Sequence, residues 1–234
     1  MPKSKKSFHS ALLCGVAALL LSASALAGPP LICHPFVTAA DAKLLPWTPA
    51  GKSWNSPDRA YRVENLAADT LRLLTPDAPI LSRMENLRRA TIYAAQDPRA
   101  AIELLEALLA RAGQPDVDDR SAALAQFDLG YLVESYRQFG HAVSFGMLEG
   151  KRVEEPLDAF AKSAAADDVG KIAALDGRAL VRRAQLALPS LGAELEFAAA
   201  LMSPDNKTFA VHRDRAAAGA PAGSLLAQNL AIYE

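Results

Sequence analysis

Cysteine is almost missing from this chain. Its 234 residues include 2, Cys14 and Cys33. Cys14 falls in a segment that reads as a leader, so a processed chain keeps only Cys33 and forms no internal disulfide. The fold must then stand on its hydrophobic core, and about 207 remaining residues suffice for one. Long apolar runs are also absent. The one run near the start, Leu12 to Leu21, is shorter than the roughly 20 residues that a membrane-spanning helix needs. An excess of one charge is missing too: 25 basic residues face 26 acidic ones, and without the three leader lysines the formal charge is −4. That argues against nucleic acid, whose backbone calls for clustered Lys and Arg. Nor do Val-, Ile- and Thr-rich stretches alternate strictly with polar residues, so no strand is expected.

What is present begins with export. Residues 1–27 carry Lys3, Lys5 and Lys6, then the apolar run, then the small-x-small site Ala25-Leu26-Ala27. This is the pattern of a secretory signal, with the mature chain starting at Gly28 in the periplasm or outside the cell. Cys33 follows Leu31-Ile32 and lacks the small neighbour of a lipidated cysteine. Residues 28–60 form a second region. It holds Pro29, Pro30, Pro35, Pro46, Pro49 and Pro57 together with both tryptophans, Trp47 and Trp54. Proline fixes φ and removes a donor, so an extended arm is expected, packed down by its tryptophans. One short helix over Thr38–Leu45 is expected within it.

From 61 to 234 the helical period dominates, which predicts a single all-α domain. Val63, Leu66, Thr70 and Leu74 share one stripe, ended by Thr75-Pro76. A second helix spans Pro79 to Gln96, with Ile80, Met84, Leu87, Thr91 and Ala94 inward. Asp97 caps a third with Pro98 at its first position, and Gly113 closes it. A fourth runs from Ser121 to Phe139 and stops at Gly140. Further helices are expected over Pro156–Ala166, after Asp168 with a break at Gly177, over Pro189–Met202, and after caps at Asp205 and Ser224. Basic pairs such as Arg88-Arg89 and Arg182-Arg183 read as solvated helix faces, and Glu154-Glu155 and Asp167-Asp168 as helix-start charges.

Asp97-Pro98-Arg99-Ala100-Ala101-Ile102-Glu103-Leu104-Leu105 resembles the turn and second helix of a tetratricopeptide repeat. Leu129-Gly130-Tyr131 resembles the Leu-Gly step of such a repeat's first helix, and Glu196 to Leu201 is similar to another repeat helix. The resemblance covers residues 80–202. It departs from the family in lacking a fixed period of about 34 residues, in having Gly113 where a closing proline is usual, and in the long connection from Gly140 to Pro156. The chain also resembles exported proteins of high-GC bacteria that carry a Cys-His-Pro arm ahead of helices. The repeat likeness implies helix pairs stacked as a short α-solenoid or irregular bundle, and binding of another protein or a peptide.

Candidate site residues follow from these readings. Cys33-His34-Pro35 is the sharpest feature. A thiolate beside an imidazole can bind metal or haem or act as a nucleophile, which is the alternative to partner binding. Adjacent residues in an extended segment point to opposite sides, however. No Cys-x-x-Cys-His is present for covalent haem, and His141 and His212 stand isolated, so a buried structural Cys33 and a hydrogen-bonded His34 are the first expectation. Trp47, Trp54, Tyr93, Tyr131 and Tyr136 are aromatic candidates for a partner groove or for the core. Gly150-Lys151 is one residue short of a phosphate-binding loop and lacks a preceding strand. Ser144 has no Gly-x-Ser-x-Gly elbow. No catalytic residue, metal or cofactor is assigned.

Overall fold

The structure is a computed structural model and describes residues 30–48, 57–115, 117–144 and 175–233. Among these there is no strand, only an isolated bridge between Trp47 and Pro57. The protein is built of helices packed on one another: α1 (Pro30–Cys33), α2 (Leu66–Leu73), α3 (Ile80–Ala94), α4 (Pro98–Ala112), α5 (Asp119–Ser144), α6 (Gly177–Ala187), α7 (Gly192–Leu201), α8 (Asn206–Gly219) and α9 (Leu225–Leu230). Single 3-10 turns precede α2 and α7 and follow α9. Among the described residues no helix is long and apolar enough to cross a membrane.

The helix ends have local causes. Asp97 accepts from the Arg99 N–H and Pro98 occupies the first turn of α4, where its missing donor costs nothing. Asp205 caps α8 through the Thr208 N–H, and Ser224 caps α9 through the Ala227 N–H. Asp176 caps α6 through the Ala179 N–H, so Gly177 opens that helix. The expected helix at 156–166, the stretch 168–174 of the one after it, and the leader lie outside the described residues.

The longest helix, α5, is the centre of the fold: α1, α3, α4 and α6 all pack on it. It continues through Gly140 to Ser144, beyond the stop expected at that glycine. Gly140 is buried, and a glycine costs a helix interior only about 1 kcal/mol against alanine, which packing readily offsets. The contact between α5 and α6 is close because Gly130 meets Gly177. A Cβ built on Gly130 would lie 2.6 Å from the Gly177 carbonyl oxygen, and one on Gly177 would lie 2.5 Å from the Gly130 carbonyl oxygen.

The helix α3 departs most from expectation. Every residue in it except Arg89 is buried. The apolar stripe faces the core as expected, but the polar face is covered as well. Arg88, read from the sequence as solvated, is fully buried, and Arg89 is half-buried. The cover is the N-terminal segment 30–48, which runs irregularly after α1. It forms only a turn near Ala40 where a helix was expected over Thr38–Leu45. The physical reason is local. Asn86 Oδ1 accepts from the Leu45 N–H (2.8 Å) and Asn86 Nδ2 donates to the Lys43 carbonyl (3.1 Å). Main-chain groups that a helix would have used internally are taken by side chains of α3.

Candidate functional site

The polar face of α3 and the segment it holds form the most elaborate arrangement in the protein. Glu85 stands at its centre. Its Oε2 accepts from Arg88 Nε (2.8 Å) and from the Phe36 N–H (3.0 Å); its Oε1 accepts from Arg88 (2.8 Å) and Arg89 Nε (2.7 Å). Arg89 also donates to the Leu45 carbonyl (2.6 Å), and Tyr93 OH donates to the Pro46 carbonyl (2.6 Å) while accepting from the Asp58 N–H (3.0 Å). Two more helices complete the hold. Gln138 of α5 accepts from the Leu31 N–H (3.0 Å), and Asn229 of α9 accepts from the Val37 N–H and donates to the Val37 carbonyl, each at 2.9 Å. Most of these bonds address main-chain groups of residues 31–46, so they fix the path of that chain whatever its side chains.

The electrostatics follow from burial. Burial alone would raise the Glu85 carboxyl, but the hydrogen bonds and charges of Arg88 and Arg89 hold it below the ordinary carboxylate value. Burial pushes the half-buried Cys33 thiol up to about 11, and the nearby Arg88 offsets only part of this. At neutral pH Cys33 is therefore a protonated thiol, the form that is poorly nucleophilic. It is a free cysteine.

The residues singled out from sequence have separate fates. His34 is exposed and its ring sits 5.5 Å from that of Tyr233, edge to face. Trp47 is half-buried over α3: Arg88 and Arg89 lie 5.1 Å and 5.4 Å from its ring centre, and Tyr93 meets it edge-on at 5.7 Å. Tyr93, Tyr131 and Tyr136 are all fully buried. Tyr136 OH donates to the Ala101 carbonyl (3.1 Å), tying α5 to α4. The Tyr131 hydroxyl is buried with no hydrogen-bond partner among the described residues. Trp54 lies outside the described residues, as does the side chain of His141. The side chains of α3, α5 and α9 that hold residues 31–46 form a clamp; the structure brings Trp47 and Tyr93 together on it, leaves Cys33 and His34 at its edge, and uses Tyr131 and Tyr136 in the core. No group of three His, Cys, Asp or Glu is placed to hold a metal ion among the described residues.

Sequence reasoning missed Glu85, Asn86, Arg88, Arg89, Gln138 and Asn229. The Glu85 spacing to Arg88 and Arg89 is the i,i+3 and i,i+4 pairing of one helix face and was visible. That this face would be covered was not.

The fold and the clamp define an all-α protein that grips a length of its own irregular main chain. Compared with known proteins, the chain matches no family model, no curated protein and no solved structure.

Proposed function

We propose that this is an exported helical-repeat protein, of degenerate tetratricopeptide-like type with an extended N-terminal arm, that binds another protein or a peptide in the cell envelope. One observation carries the reading: side chains of α3, α5 and α9 hold an irregular stretch of chain through its backbone groups. Stacked helices take extended peptides by the same chemistry, in which main-chain hydrogen bonds give affinity and neighbouring pockets give selectivity. The chain's own segment fills part of that surface. Two clefts of about 280 and 310 Å³ flank it, sharing Ala39, Pro79 and Ser82, and a partner would lie along them.

The test uses the mature protein as bait in an envelope fraction, followed by a direct affinity measurement with the purified partner. Binding should weaken at least about tenfold in Ala39→Arg, which places a bulky charge at the junction of both clefts. Absence of a partner, or a partner indifferent to Ala39→Arg, would overturn the reading. Sequencing of the mature N-terminus should begin at Gly28; a cytosolic product that keeps Met1 would remove the export half. Metal analysis and an absorbance spectrum check the alternative of a metal, haem or redox group on Cys33 and His34. A stoichiometric metal or a Soret band would replace partner binding as the better reading.

A further inference from the structure

A cavity of about 160 Å³ opens between α6, α7 and α8. Its floor is apolar, made by Val181, Ala199 and Met202. Two guanidiniums line it from α6, Arg178 and Arg182, four residues apart and hence on one helix face. Arg182 is exposed and has no ion pair or hydrogen bond among the described residues. Arg178 lies 3.7 Å from Glu134 Oε2, too far for a hydrogen bond, and Glu134 is already held by Arg137 at 2.5 Å. The nearby hydroxyls are engaged elsewhere: Ser203 donates to the Ala199 carbonyl and Thr208 to Asp205. On the opposite wall His212 Nδ1 is 2.6 Å from Glu196 Oε2. A carboxylate only accepts, so Nδ1 carries the proton, and Nε2 has no partner among the described residues. The Glu196 charge is met by His212 and, at 3.9 Å, by Arg215.

We propose that this cavity binds a small organic carboxylate with a short branched apolar tail. The carboxylate sits on Arg182 with Arg178 beside it, and the tail rests on Val181, Ala199 and Met202. A guanidinium fork matches the two oxygens of a carboxylate and gains little from a neutral amide. The floor rewards an apolar tail and gives inorganic phosphate nothing. The volume is below the roughly 300 Å³ where drug-sized pockets begin, which confines the ligand to a few carbons. No residue of the segment 30–48 lines the cavity, so the outcome here is independent of the partner-binding reading.

Calorimetric titration of the whole mature chain at low salt decides it, with isovalerate, isovaleramide and inorganic phosphate as probes. Isovalerate should bind in the millimolar range, about tenfold or more tighter than either of the others. Arg182→Gln should erase the preference of acid over amide, and Ala199→Leu, which fills the cavity, should abolish both. Arg182 is exposed, so its substitution leaves the fold intact and decides the matter even if Ala199→Leu fails to fold. Equal binding of acid and amide, phosphate binding as tight as isovalerate, an acid preference that survives Arg182→Gln, or no heat up to about 50 mM isovalerate would each overturn the proposal.

Discussion

Two faces of α3 border buried carboxylates that are held in opposite ways. Toward the N-terminal segment, Glu85 receives four donors that occupy both of its oxygens. Across the helix, Asp128 of α5 meets Arg83 at 2.6 Å and Arg111 at 3.7 Å through one oxygen, while its Oδ1 has no hydrogen-bond partner among the described residues. Arg83 reaches further, to the carbonyls of Thr75 and Ala78, and Arg111 to that of Leu74, so this second cluster pins the turn between α2 and α3. The chemical outcome differs accordingly. Glu85 is held below its ordinary value, whereas burial pushes Asp128 up to about 6, more than its two arginines offset. A buried charge is well tolerated when every lone pair is matched, and poorly when one is left over.

Substitutions sharpen this contrast. The largest effect is expected for Glu85→Ala, which strands the fully buried Arg88 guanidinium and the Phe36 N–H. Loss of about 3–5 kcal/mol in urea unfolding should follow. Asp128→Ala should cost less, about 1–3 kcal/mol, because Arg83 keeps its two carbonyl acceptors and an orphaned oxygen is removed along with the charge. If the Asp128 variant is the weaker of the two, the comparison fails. Asn229→Ala removes both bonds to Val37 and should cost about 1–2 kcal/mol, with faster amide exchange at Val37 as the specific signature.

A further effect is a slope rather than a single loss. A carboxyl raised in the folded state binds a proton there that the unfolded chain has already released. The contribution of Asp128 is therefore fully present below about pH 4 and is lost as pH rises through about 6. Glu85 works the other way: its contribution is present above the ordinary carboxylate range and is lost as pH falls through its lowered value. Urea midpoints measured from pH 4 to 7 should fall in the wild type relative to Asp128→Asn, and a difference that is flat across that window would contradict the assignment.

Local features of the fold were legible in the sequence, and long-range ones were not. The caps at Asp97, Asp205 and Ser224 act over two or three residues, and each is where its side chain and the following turn place it. Arg88 misled because the rule that charges face water assumes nothing else covers them, and its cover comes from a segment more than 50 residues earlier, at Ile32. Thr38–Leu45 misled for the same reason in reverse. Its propensity for a helix is real, but Asn86, 41 residues from Leu45, claims its backbone. Of the clamp, only Trp47 and the Glu85-Arg88-Arg89 spacing had a signal. Asn229 is a single polar residue among Leu225, Leu226 and Leu230, and Gln138 follows the polar Glu134 and Ser135 on its helix, so nothing local marks either as a backbone holder.

The pairing of Val37 with Asn229 spans 192 residues. A chain that emerges from the ribosome amino end first therefore leaves the Val37 N–H and carbonyl without these bonds until α9 arrives, whereas Leu31 and Phe36 find their partners earlier, on α5 and α3. Losing α9 would therefore loosen the segment at Val37, nearly two hundred residues away in the chain, while its ties to α3 and α5 remain.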